Sequence, residues 1–460
     1  MAKSTTKQKQ HHYTPRAPLA ALGMKFHQLG VFCPVEKGVR VAQKAVKYKP
    51  VEKLMDALIT ILAGAHGLVE ANKRVRPDRA LQRAFGRNGC AEQSVISETL
   101  DACTAENVEQ MRKAKKEIYQ QHSAGYRHDY ERSLQLLDID MTGQPCGKKA
   151  AFASKGYFAK QRNRRGRQLG RVLATWYDEI VEDRIYDGKT QLPRAFQELA
   201  LAAEDVLELD EAKRKHTILR TDGHGGSQGD VNWALARGYL VHTKEYSGDR
   251  ARKLAETVVT WYEDPKVAGR QVGWVTAEPV EYVQAVKRIA VRTRKKNGQW
   301  GIGVLISTVS ETDIGLLARI PAKKWQDPVA ILLAYVYFYD LRGGGVETEI
   351  KEDKQGLGIT KRNKKRFEAQ QMMAQLNTLA HNLIVWSRRW LARTWDKVAN
   401  LGILRMVRDV FHLSGLAHFR SDGSIERITL QRADPFAPGL CAGLSPLLTT
   451  LHVAVNLDEI

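Results

Sequence analysis

The sequence predicts a mixed α/β chain in three parts: an all-α N-terminal part, a sheet of mixed strand directions interrupted by a β insertion, and a mostly helical C-terminal segment. Three observations lead there. Apolar residues recur at three- and four-residue spacing from about Gln28 to Ser123, as in Val51-Leu54-Leu58-Ile61-Leu62. Strand-like runs alternate with helical ones from Leu134 onward, and Asn297-Gly298 marks a tight hairpin turn between two β-rich runs. With 460 residues, 43% of them apolar, the chain can build two or three packed units.

Lys and Arg number 72 against 51 Asp and Glu, a net charge of +21, which asks for a polyanionic partner. The five cysteines (Cys33, Cys90, Cys103, Cys146 and Cys441) are scattered and odd in number, so neither a disulfide framework nor a structural zinc site is expected, and a reducing cytoplasm is the simpler home. Residues 1–18 are polar and basic with no apolar run behind them, an expected flexible tail rather than a signal peptide. The most apolar stretches, Leu54–Ala63 and Pro328–Phe338, fall well short of the roughly 20 residues that cross a bilayer, so no membrane span is expected.

Residues 19–125 read as a helical domain. Within it Asp78–Phe85, the turn Gly86-Arg87-Asn88-Gly89 and Ala91–Cys103 have the outline of a helix-turn-helix, flanked by Lys73-Arg74-Val75-Arg76; an ordinary helical hairpin has the same outline. Next, Leu134–Asp140 reads as a strand ending in carboxylates, followed by strands Arg171–Tyr177 and Glu179–Tyr186 and a helix Pro193–Leu209. A strand His216–Arg220 runs into Thr221-Asp222-Gly223, then come a helix Ser227–Arg237 and a strand Tyr239–His242. The β insertion is expected over 264–326, with the hairpin Val283–Arg292 and Trp300–Ser307 inside it. The α/β domain therefore spans 126–263 and 327–395, and 396–460 closes the chain with a helix and a hairpin turning at Ser421–Ser424.

Asp140, Asp222 and Glu347 stand where strand ends and a neighbouring helix start can bring carboxylates together, an arrangement that suits two magnesium ions in phosphoryl transfer. No His/Cys cluster favours zinc. Around Glu347 the chain reads Tyr339-Asp340-Leu341-Arg342-Gly343-Gly344-Gly345-Val346-Glu347, and Lys351 and Lys354 follow on the same helical face. A metal-binding carboxylate would thus sit beside cations fit for phosphate.

This constellation, with the two earlier aspartates in LDIDMTG and LRTDGHGG, resembles the DDE transposases of bacterial insertion sequences, in particular the insertion-sequence-four superfamily. That family has an RNase H-like core interrupted by a β domain, and the signature Y-x2-R-x3-E-x6-K; this chain has one residue more between Arg342 and Glu347. The resemblance covers about Leu134 to Trp390. It implies that Asp140, Asp222 and Glu347 bind two Mg2+, with Mn2+ able to substitute, and that Tyr339, Arg342 and Lys354 contact transposon-end phosphates. It further implies double-stranded DNA as partner, a homodimer on paired ends, a nucleoid-associated protein of the bacterial cytoplasm, and, in the hairpin-forming members, an aromatic that stacks a flipped base. Trp300 and Trp325 are the candidates, although a hairpin tryptophan is more often core.

Several competitors stand beside these residues. Asp138 shares a strand face with Asp140, and Asp140 is preferred because Met141-Thr142 follows it, as a small hydroxyl residue follows the family's first aspartate. Asp222 alone would read as a turn residue before Gly223, Glu349 rivals Glu347 until the register to Ile350 and Lys354 is counted, and His224 is as readily an exposed polar residue as a proton carrier. Two basic stripes complete the picture. Residues 155–171 carry Lys155, Lys160, Arg162, Arg164, Arg165, Arg167 and Arg171 interleaved with Tyr157 and Phe158, and 361–393 carry Lys361, Arg362, Lys364, Lys365, Arg366, Arg388, Arg389 and Arg393. Together they suggest a nucleic-acid surface. The reading is a cut-and-paste transposase; the rivals are an RNase H-like structure-specific nuclease or integrase, and a DNA-binding derivative that no longer cuts.

Overall fold

The computed structural model describes residues 11–158, 161, 163–276 and 282–460. The chain divides into two compact units, one made of Met1–Ser123, Cys146–Ala151 and Ile350–Ile460, the other of Ala124–Pro145 and Phe152–Glu349. All five cysteines are free thiols.

The first unit is mainly helical. Pro50 opens the helix Pro50–Leu62, and the Glu52 carboxylate accepts the Lys49 N–H at 2.6 Å; Thr104 caps Ala105–His122 by accepting the Asn107 N–H at 3.3 Å. The expected hairpin of helices is present as Arg79–Ala84 and Gln93–Ala102, and Arg87 in its turn is tied to Asp56 at 3.0 Å. The long helix Phe367–Ala392 belongs to this unit, with Trp390 against Phe26 and Trp386 against His122. The α/β domain expected to return through residue 395 therefore gives way at Glu349, because the apolar face of this helix is buried among the N-terminal helices.

A four-stranded sheet in the same unit corrects two further expectations. Its order is His11–Thr14, Gly415–Phe419, Ile425–Gln431, Ala454–Asp458. Residues 11–14, expected in the flexible tail, pair antiparallel with Gly415–Phe419, whose edge would otherwise present bare donors and acceptors. The C-terminal segment, expected to be mostly helical, supplies three strands and the helix Ala437–Leu448. Its hairpin does turn at Ser421–Ser424, where Gly423 takes φ +83°, a left-handed conformation that L side chains rarely adopt.

The second unit is built on one large mixed sheet. Its main strands are β1 (Gln135–Pro145), β2 (Arg165–Ala174), β3 (Glu179–Asp187), β4 (Thr217–Thr221), β5 (Leu240–Lys244), β6 (Arg270–Trp274), β7 (Lys287–Arg294) and β8 (Trp300–Ser307). Their order is β3-β2-β1-β4-β5-β8-β7-β6, with β1, β4 and β5 parallel and the rest antiparallel to their neighbours. The residues expected to form a separate β insertion instead extend this sheet: β8 pairs with β5 through Leu305–Lys244 to Ser307–His242, so apolar β7 and β8 share the core of the unit.

The helix Pro328–Asp340 lies on that core, with Leu332, Tyr335 and Phe338 packed among Leu136, Ile218 and Ile289. It is apolar all round because it is buried on all sides. The run Pro328–Gly356 is long and apolar enough to cross a membrane by length and composition, more than the sequence led us to expect. Its apolar residues from Ala330 to Val336, with Phe338, are nonetheless buried in this packing, and the helix ends at Asp340 before a second one starts at Val346.

Candidate active site

The register of the sheet brings two carboxylates together. The last parallel rung between β1 and β4 pairs Ile139 with Thr221, so Asp140 and Asp222 are the next residues on adjacent strands, which run about 4.8 Å apart. Asp140 is not at the end of its strand, as the sequence suggested. β1 continues to Pro145 because β2 pairs with it through that residue, and only β4 stops short. Asp140 accepts the Met141 N–H at 2.7 Å; Asp222 accepts the His224 N–H at 2.9 Å through one oxygen and faces the His224 Nδ1 at 3.1 Å through the other.

The third carboxylate arrives from the far end of the unit's chain. After Pro328–Asp340, the short turn Leu341–Gly344 and Gly345 lead into the helix Val346–Gly356, with Glu347 in its first turn. Gly345 passes so close to the sheet that a Cβ there would stand 2.9 Å from Asp138 Oδ2, so the glycine run that carries the extra residue also permits the close approach. Arg342 is buried between the acids: its Nη2 is 2.9 Å from Asp140 Oδ2, and its Nη1 donates to Glu347 Oε1.

The electrostatics of this cluster show in its titration. Burial, then the negative charges of Asp222 and Glu347, push the Asp140 carboxyl up to about 6, against the pull of Arg342 and of the Met141 N–H. Burial lowers the Arg342 guanidinium, but Asp140 and Asp222 reverse this and hold it above its ordinary range. Tyr339 is pushed up to about 12 by burial and by all three carboxylates, with Arg342 opposing. Asp140, Asp222, Glu347, Tyr339 and Arg342, spread over two hundred residues of chain, therefore feel one another's charge. Asp140, Asp222 and His224 also line a cavity of about 180 Å³ together with Thr142, Tyr157 and Gln168.

Hard carboxylate oxygens are the donors magnesium prefers. Among the described residues, however, no three His, Cys, Asp or Glu side chains stand close enough to hold one metal ion. The acids are spaced around a guanidinium, which occupies the position of a cation between Asp140 and Glu347.

The competing acids have other partners. Asp138 is wholly buried and held by Arg220 at 2.6 and 2.8 Å and by Thr175 at 2.8 Å. Glu349 is buried, whereas Glu347 is the glutamate paired with Arg342. Lys351 and Lys354 lie further along the same helix, exposed and half-buried respectively, in the part of the chain that belongs to the other unit.

The basic stripes split. In the first, Lys155, Arg164 and Arg165 are exposed, but Arg167, expected on DNA, is buried, as is Arg171, which pairs with Asp183 at 2.8 Å. They lie on β2, which is buried on both faces from Gly166 to Ala174, so its side chains enter the packed interior. Lys160 and Arg162 lie outside the described residues. In the second stripe Lys361 and Lys365 are exposed, whereas Arg362 is buried with its guanidinium on Ala65 O, Leu357 O and Asn377 Oδ1, and Lys364 donates to Ser97 at 2.6 Å. Arg362 and Lys364 are thereby removed from the expected DNA contacts, since burial commits their donors inside the unit.

Trp325 is anchored by its Nε1 on Ile320 O at 2.9 Å. Trp300 carries the Arg292 guanidinium 4.7 Å from its ring and lines a groove of about 530 Å³ with Lys244, Arg252, Lys295 and Tyr339. Lys244 and Gln168 were not singled out in the sequence. Lys244 ends β5, the strand beside β4, and that strand-end position is the signal that could have found it.

Among solved structures, the chain is similar to a piggyBac transposase synaptic complex with hairpin DNA, at 12% identity and a TM-score of 0.40, with 86% of this chain and 80% of that chain covered. No family model and no curated protein matches the chain.

Proposed function

We propose that this chain is a metal-dependent DNA transposase of the DDE type, cutting at the terminal inverted repeats of an insertion sequence and joining the freed ends to target DNA. One observation carries the reading: Asp140, Asp222 and Glu347, remote in sequence, gather around Arg342 beside Tyr339. The strand order β3-β2-β1-β4-β5, with β1, β4 and β5 parallel and an acid just beyond the last rung that joins β1 to β4, supports an RNase H-like core. Magnesium bound by the three carboxylates would activate the attacking oxygen and stabilise the leaving one.

The chain's own groups have separate tasks in this reading. Arg342 and Tyr339 hold phosphates of the DNA end, and Lys351 and Lys354 add charge along the helix that carries Glu347 in its first turn. Exposed Lys155, Arg164, Arg165, Lys361 and Lys365 attract the backbone, and Trp300 offers a ring on which an unstacked base can rest. A homodimer on paired ends belongs to the same proposal.

The test is cleavage of a duplex carrying the inverted repeats that flank the gene, with Mg2+ or Mn2+ present. The wild type should nick, cleave and join ends, whereas Asp222→Asn should bind the duplex and fail to cut. Undiminished cutting by that variant would remove Asp222 from the chemistry, and cleavage without end joining would favour a nuclease.

A further inference from the structure

Arg342 is poorly satisfied for a buried guanidinium. Among the described residues, only its Nη1 makes a hydrogen bond, to Glu347; Nη2 lies 2.9 Å from Asp140 Oδ2 without hydrogen-bond alignment, and the buried Nε meets no acceptor. A buried donor without an acceptor costs free energy, so the residue is held by charge rather than by geometry. Three carboxylates also outnumber one guanidinium, which leaves the cluster negative and receptive to further cations.

We propose that Arg342 is a placeholder cation that DNA removes. It spaces Asp140 and Glu347 apart until a DNA phosphate, whose two non-bridging oxygens can accept from both arms of its fork, draws the guanidinium away and leaves both carboxylates to a divalent ion. The exchange couples the two ligands: DNA strengthens metal binding, and by thermodynamic reciprocity metal strengthens DNA binding by the same factor. The inference rests on the metal-dependent reading above and adds to it an order of assembly, which keeps the reactive ions out of the site until nucleic acid is present.

Mn2+ binding to the full-length protein, measured by calorimetry and by the loss of the free-ion resonance signal, tests this with and without a short double-stranded DNA. In the wild type DNA should tighten Mn2+ binding about tenfold. Arg342→Gln should bind Mn2+ about tenfold tighter than wild type without DNA and gain nothing from DNA. Arg342→Lys keeps the charge but not the fork, so it should bind Mn2+ tighter than wild type and lose most of the coupling; it decides the matter if the glutamine variant does not fold. Equal Mn2+ affinity in wild type and both variants, with the DNA effect unchanged, overturns the exchange while leaving the metal site intact. Failure of every protein to bind Mn2+, with DNA or without, overturns the metal-dependent reading itself.

Discussion

Two arginine–carboxylate pairs lie two residues apart on β1 and differ in kind. At Asp138, Arg220 spends Nε and Nη2 on the carboxylate and Nη1 on Phe338 O, stacks on the Phe338 ring, and leaves neither partner exposed. At Asp140, Arg342 is shared between two acids, aligns one hydrogen bond, and has a third carboxylate within reach of its charge. The first pair is closed and serves the core. The second has charge left over, and leftover charge is what a site needs to take up a ligand.

Removing one member of the closed pair should have the largest effect. Asp138→Asn or Arg220→Ala strands a buried charge and should cost about 3–5 kcal/mol of stability, read by thermal or denaturant unfolding. Asp140→Asn should do the opposite at neutral pH. A loss of stability at Asp140 comparable with that at Asp138 would erase the distinction between the pairs.

How much of this was legible in the sequence follows from the same contrast. Hydrophobic period and turn residues located the strand before Asp222 and the helix after it closely, and the Asn297-Gly298 turn placed the hairpin of β7 and β8, but they ended at Asp140 a strand that runs to Pro145 and began at Arg171 one that starts at Arg165 and gives way to a turn at Thr175–Tyr177. They could not show that β8 docks on β5, because that pairing is set by tertiary packing rather than by any local pattern. Asp140, Asp222 and Glu347 were singled out by residue type and by the order a resemblance supplied, and the fold brings them within reach of one another's charge. Their arginines were not separable in the same way. Arg167, Arg171 and Arg362 look like DNA-facing residues in a one-dimensional stripe, yet burial assigns them to the interior. Charge runs report composition, whereas the partner of each charge is decided only when the chain closes.

The pH dependence of stability sharpens the comparison at an intermediate scale. The Asp140 carboxyl is raised in the folded chain from 3.8 to about 6, so between those values the folded state keeps a proton that the unfolded state releases. Its contribution is therefore complete below about pH 4, is lost as pH rises through about 6, and stays lost above it. The shift corresponds to at most about 3 kcal/mol. Asp140→Asn should remove this decline and be more stable than wild type at pH 7 while matching it at pH 4. Unfolding curves across that range decide, and parallel profiles for the two proteins would contradict the raised carboxyl.

The smallest expected effect on the fold, and the finest division of closed from open, lies in the second basic stripe. Lys361 and Lys365 are exposed, and Arg362 between them is buried on Ala65, Leu357 and Asn377. Replacing Lys361 or Lys365 with alanine should change stability by no more than about 0.5 kcal/mol. If these lysines meet phosphates, each replacement should lower the slope of log affinity for DNA against log salt by about one. Arg362→Ala should instead destabilise the protein through its abandoned acceptors, and any fall in DNA binding should track the unfolded fraction rather than the salt slope. A slope that falls with Arg362 and not with its neighbours would place the nucleic acid on a different surface.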